Sequence, residues 1–185
     1  CWSLVGSEMC IRDRVNSVPE SKIILYNFEK LCGYKFSTKC VQKLAKIFPK
    51  NIIGVKDSSY NLYQDLKITG FSILPGSELK LLSGLEIGCS GIITATCNVT
   101  AELSRKVYDD FFNNVTQTVN NKLCEVRKTF DQFNLISGLH SFLKEKDSDY
   151  SNILPTLSLL DPKDEKILFN KLRALDFPAK KNVAV

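Results

Sequence analysis

The chain has 185 residues, 44% of them hydrophobic and 24% charged, with a formal net charge of +5. That length suits about one domain, and the composition excludes a disordered tail, a collagen-like repeat and a disulfide miniprotein. No run of about 18 apolar residues exists, so no membrane span is expected; without a basic stripe interleaved with aromatics, nucleic acid is not an expected partner.

Residues 1–14, CWSLVGSEMCIRDR, carry neither helical nor strand periodicity and lack the order of a signal peptide. They read as a non-native leader, loosely attached. From Val15 the chain alternates apolar runs with helical patterns. Residues 22–27 predict a buried strand. Residues 37–48 predict a helix, with Ser37 or Thr38 as N-cap and Pro49 as its stop. A second strand is expected at 51–56, a short helix at 61–68, a third strand at 71–75 and a helix at 78–87. A fourth strand at 91–94 precedes a helix at 101–113. Such alternation predicts a parallel sheet with crossover helices. After residue 113 the strands stop, and three helices are expected at 115–133, 137–146 and 162–175. The last carries the Asp161-Pro162 start signal. The expected domains are therefore 15–113 and a helical extension, 114–185.

The strand ends are polar, and in parallel α/β folds the carboxyl edge of the sheet carries the chemistry. Lys56 closes the second run. In a low-dielectric pocket its amine would be a nucleophile toward a carbonyl. Tyr26 closes the first run and could relay a proton. Gly76 and Gly91 read as turn or close-approach glycines, and Thr94 and Thr96 as simple strand formers. The seven cysteines have wide spacings and no C-x-x-C pair, which suits free thiols in a reducing cytoplasm. The single histidine, His140, cannot build a multi-histidine zinc site.

Taken together, Ile24-Leu25-Tyr26-Asn27, Gly33, Asn51-Ile52-Ile53-Gly54-Val55-Lys56-Asp57-Ser58-Ser59, Leu74-Pro75-Gly76-Ser77-Glu78 and Gly88-Cys89-Ser90-Gly91-Ile92-Ile93-Thr94-Ala95-Thr96-Cys97-Asn98-Val99 resemble the second half of the dihydrodipicolinate synthase / N-acetylneuraminate lyase family. The resemblance runs from about Lys22 to about Asn113, and more loosely beyond. It implies an α/β fold, a partial TIM (β/α)₈ barrel comprising strands five to eight, followed by C-terminal helices. It also implies class I aldolase chemistry on pyruvate. Lys56 matches the Schiff-base lysine and Tyr26 the relay tyrosine. Gly76 and Ile93 match positions lining the pyruvate-derived part of the pocket. No cofactor and no metal are implied. The full-length parent would be a homo-oligomer, commonly a tetramer.

Two departures from the family pattern shape the expected function. Leu31 stands where the synthases carry an arginine for the aldehyde's carboxylate, and Glu29 where proline is usual. Leucine cannot bind a carboxylate, and the neighbouring Lys30 offers only a flexible point charge. Further, no glycine-threonine-threonine-glutamate motif follows Val15. The chain therefore reads as an N-terminally truncated Schiff-base lyase, inactive alone. Its parent would act on a 2-keto-3-deoxy sugar acid or a sialic-acid-like substrate. The alternatives are 4-hydroxy-tetrahydrodipicolinate synthase, a non-catalytic keto-acid-binding barrel relative, and an unrelated doubly wound sheet.

Overall fold

Three of the four apolar runs become strands: β1 (Ile23–Asn27), β2 (Ile52–Asp57) and β3 (Ser72–Pro75). They form one parallel sheet in the order β1-β2-β3. The computed structural model describes residues 2–177, and the chain divides into two units, Cys1–Ile93 and Thr94–Val185.

In the first unit the sheet's two faces differ. Leu25, Val55 and Ile73 alternate onto a buried face. They pack there with Val41 and Leu44 of α3 (Thr38–Ile47), together with Leu62, Tyr63 and Leu66. Helix α3 forms as expected: Ser37 is its N-cap, its Oγ accepting from the Cys40 N–H at 3.2 Å. The opposite face carries Ile24, Tyr26, Gly54, Lys56, Ser72 and Leu74 and is partly open, with Ile24 and Tyr26 exposed.

Three expectations are corrected here. The segment expected to be loosely attached forms α1 (Trp2–Ser17), and Ile11 packs against the core of this unit. The helix expected at 61–68 is a single turn, Leu66 N–H to Leu62 O at 2.8 Å. The Asp57 carboxylate takes the Leu62 and Tyr63 N–H groups, which a first helical turn leaves without backbone partners, but the chain leaves the turn at Leu66. The fourth strand, 91–94, does not form. Ser90 N–H bonds Ile73 O and Ile93 N–H bonds Pro75 O. Three residues on one side thus span two on the other, and the extra one falls at Gly91, with φ of 140°. A bulge of this kind interrupts the ladder. Residues 78–87 divide into a 3₁₀ turn, Glu78–Lys80, and α4 (Leu81–Glu86). A four-residue helix, α2 (Glu29–Cys32), also forms.

The second unit is helical. Its elements are α5 (Cys97–Phe112), α6 (Asn120–Phe130), α7 (Leu135–Leu143) and α8 (Pro162–Ala174). Helix α8 starts as its sequence signal predicts, the Asp161 carboxylate accepting from the Asp164 N–H at 2.8 Å with Pro162 in the first turn. The core is aromatic. Phe142 meets Phe130 edge-on at 5.7 Å and stacks on Phe177 at 5.7 Å. Val126, Leu139, Leu168 and Leu172 enclose them. Among the described residues, no helix is long and apolar enough to cross a membrane.

Candidate functional site

The parallel register of β1 on β2 sets Tyr26 directly opposite Lys56. Both side chains project onto the partly open face, and Lys56 Nζ lies 4.1 Å from the Tyr26 ring centroid. That is a cation–π distance, worth about 0.5–1 kcal/mol at an exposed site. Tyr26 is 40% exposed and Lys56 half-buried. The enclosed low-dielectric pocket expected around the lysine is therefore not formed by the described residues; the face is open because only three strands contribute to it. Gly54 sits two residues before Lys56 on the same face. A Cβ there would stand 2.7 Å from Ser72 O, so glycine is what lets β3 approach this closely.

Gly76 follows β3, and its N–H donates to Asp57 O at 3.0 Å. An added Cβ would meet the Ser58 side chain, which makes it a close-approach glycine as expected. Ile93 is exposed, its N–H held by Pro75 O at 3.1 Å. Leu31 rides on the four-residue helix after β1, 73% exposed and outside the sheet. Beside it, Glu29 pairs with Lys35 at 2.9 Å. The sheet thus brings Tyr26 and Lys56 together and places Gly76 one backbone hydrogen bond from the residue after Lys56.

Sequence reasoning missed what lies beneath the pair. Asn27 and Asp57, both fully buried, are opposite one another in the register. Asn27 Nδ2 donates to Asp57 Oδ1 at 2.7 Å and to Asn61 Oδ1 at 2.8 Å. Asn27 Oδ1 accepts from Phe36 N–H at 2.9 Å. Asp57 Oδ2 accepts from the N–H groups of Leu62 at 2.8 Å and Tyr63 at 3.0 Å. A buried carboxylate needs this many donors to offset its lost hydration.

The second unit holds another buried polar group that the sequence reading passed over. Arg127 Nη1 donates to Thr94 Oγ1 at 2.8 Å and to Thr96 Oγ1 at 3.2 Å, while Nε donates to Asp131 at 2.9 Å. Thr94 and Thr96 are hydrogen-bonding partners here rather than simple strand formers. The signal was present: Leu123, Val126 and Phe130 set an apolar stripe along α6, and Arg127 falls within it. No cluster of three metal-ligating side chains occurs among the described residues.

A model of the dihydrodipicolinate synthetase family matches residues 12–171. The chain belongs to the dihydrodipicolinate synthetase family. Family relatives include 4-hydroxy-tetrahydrodipicolinate synthase of Wigglesworthia glossinidia brevipalpis, 37% identical over 83 residues, covering 42% of this chain and 27% of the relative. An uncharacterised DapA-like lyase of Halobacterium salinarum is 26% identical over 166 residues, covering 84% of this chain and 53% of the relative. The chain thus spans no more than about half the length of these relatives. Among solved structures, YagE of Escherichia coli K12 in complex with pyruvate superposes with a TM-score of 0.83 at 21% identity, over 94% of this chain and 62% of that one. DHDPS from Cyanidioschyzon merolae with lysine bound gives 0.81 at 16% identity, over 94% and 61%. At these identities the likeness concerns the fold: the chain follows the family's TIM-barrel proteins over about three fifths of their length.

Proposed function

We propose that the chain is the carboxyl-terminal part of a pyruvate-dependent Schiff-base lyase, with β1, β2, β3 and the 91–94 segment corresponding to barrel strands five to eight. The observation that carries the reading is the register of Tyr26 on Lys56, with the amine 4.1 Å from the ring. In its neutral form the Lys56 amine adds to the C2 carbonyl of pyruvate, and the carbinolamine loses water to give the imine. The imine withdraws electrons from C3, so a C3 proton can leave and the resulting enamine can attack an aldehyde; the reverse sequence cleaves the bond. Tyr26 relays protons to and from the carbinolamine oxygen. Gly76 and Ile93 line the pyruvate-derived portion of the pocket. No metal or cofactor enters this chemistry.

Leu31 in place of an arginine favours a hydroxylated sugar-type aldehyde in the parent, leading to a 2-keto-3-deoxy sugar acid. Loss of one charge-assisted carboxylate contact costs about 1.5–3 kcal/mol, or roughly 10- to 150-fold in kcat/KM for aspartate semialdehyde. A second reading, 4-hydroxy-tetrahydrodipicolinate synthase, is favoured by the relative of that name at 37% identity. The two part in steady-state kinetics on the full-length parent, where better turnover of aspartate semialdehyde selects the synthase. A cytoplasmic homo-oligomer, a tetramer in the parent, completes the proposal; the free thiols of Cys10, Cys32 and Cys89 accord with a reducing compartment.

The test is reductive trapping. Cyanoborohydride with pyruvate should place the adduct on the peptide containing Lys56, because that amine is the one the register sets beside the relay tyrosine. Turnover with aldehyde should be absent from the 185-residue chain. An adduct confined to other lysines overturns the reading and leaves a keto-acid-binding or unrelated role.

A further inference from the structure

Building on the Schiff-base reading, we infer that the buried Asn27–Asp57 pair is the positioning element of the site, setting the register at which Tyr26 stands opposite Lys56. Each of the two residues directly follows one member of the Tyr26–Lys56 pair, on its own strand. Asn27 is bonded to Tyr26 through the chain, Asp57 to Lys56, and the two are register partners joined by a 2.7 Å hydrogen bond. Asp57 also presents its carbonyl to Gly76 N–H. Three of the candidate residues, Tyr26, Lys56 and Gly76, thus lie one covalent or one hydrogen bond from this pair.

The strand pair needs such a lock. Side chains alternate with period two, so a slip of one residue would send Tyr26 to the buried face and away from Lys56. At its other end the same pair does shift register, between Ile23 and Ile24. Beyond the strands, the pair gathers the following loops: Phe36 and Asn61 bond Asn27, Leu62 and Tyr63 bond Asp57, and the N–H groups of Ser58 and Ser59 bond Asn27 O. Two apolar side chains could fill the same space, but they would carry no directional bond against sliding. Asn27 and Asp57 touch no reacting atom in this scheme; they act through Tyr26 and Lys56.

The experiment follows the rate constant of cyanoborohydride trapping of pyruvate on Lys56, read by peptide mass spectrometry at saturating pyruvate. Divided by the folded fraction from circular dichroism, the rate constant reports geometry in each folded molecule, because refolding outpaces trapping. In Asp57→Asn, one end of the new amide must present a donor to a donor, either Asn27 Nδ2 or the Leu62 and Tyr63 N–H groups. The rate constant should fall about 10- to 100-fold, as a misplacement near 1 Å does. The exchange Asn27→Asp with Asp57→Asn restores complementarity. The new carboxylate accepts from position 57 and from Phe36 N–H, and the new amide oxygen accepts from Leu62 and Tyr63, at the expense of turning Asn61. Its rate constant should return to within a few-fold of the unaltered chain. A rate constant per folded molecule that is unchanged in Asp57→Asn, or an exchanged pair that folds without recovering, overturns the positioning role alone. No Lys56 adduct in the unaltered chain overturns the lyase reading and this role with it.

Discussion

Replacing Gly54 with alanine tests how closely β3 must approach β2. The new Cβ would lie 2.7 Å from Ser72 O and 3.0 Å from Ser72 Cβ. A carbon–oxygen contact tolerates about 3.3 Å, so the strands must part by about 0.6 Å. Parting by that much stretches a ladder hydrogen bond from about 2.9 Å to about 3.5 Å, the edge of a useful bond. Overpacking of this kind costs about 1–3 kcal/mol. The loss of chain entropy in the unfolded state returns about 0.4–1 kcal/mol of it. Because the obstacle is a backbone oxygen in a strand, no rotamer change relieves it. At Gly76, by contrast, the nearest atom is the Ser58 hydroxyl, which can rotate away, though Ser58 Cβ and Cα remain at 3.0 and 3.1 Å. Urea unfolding is the assay. A net loss of about 1.3 kcal/mol, at a slope of about 2 kcal/mol per molar, lowers the midpoint by about 0.6 M. An unchanged midpoint for Gly54→Ala would refute the claim that β3 is held this close.

Other substitutions probe the second unit and the thiols. Gly138→Ala in α7 would place a Cβ 3.5 Å from Phe130 Cδ1, an ordinary contact, and should raise stability in thermal unfolding by about 0.5–1 kcal/mol, the usual gain of alanine over glycine in a helix. Arg127→Lys cannot reach Thr94, Thr96 and Asp131 together and should lose about 1.5–3 kcal/mol in the same assay; a loss no larger than that of Lys128→Ala, an exposed i,i+3 partner of Glu125, would show the cluster to be energetically idle. Burial pushes the Cys89 thiol above its ordinary range, so less thiolate is present at any given pH. In iodoacetamide labelling at pH 8, buried Cys89 should react more slowly than exposed Cys10 and Cys32, and its rate should keep rising as the pH is taken above the ordinary thiol range.

The apolar runs at 22–27, 51–56 and 71–75 were legible as strands because short apolar runs bounded by polar residues suit parallel strands without alternation; the openness of one face was not legible in them. Helices α3 and α8 were legible because Ser37 and Asp161 cap them by local hydrogen bonds that sequence order alone predicts. The Tyr26 and Lys56 candidates were legible as strand-end residues, but their approach was not, since it depends on the register of two strands thirty residues apart. Helix α1 lacked a periodic apolar face, so nothing local announced it. The apolar spacing of Leu62, Tyr63 and Leu66 suggested a helix, whereas those residues anchor a single turn against the core, its N–H groups bonded to the Asp57 carboxylate just before it. Gly91 turned an expected strand into a bulge through one backbone angle. Asn27 and Asp57 looked like ordinary polar strand ends; their burial and mutual bond arise when the carboxyl edge of the sheet closes over them. Local spacing determined which segments would be strands and capped helices, because those forces act within a few residues. Register, burial and the polar network belong to the tertiary structure, because each is a bond between residues that only folding brings together.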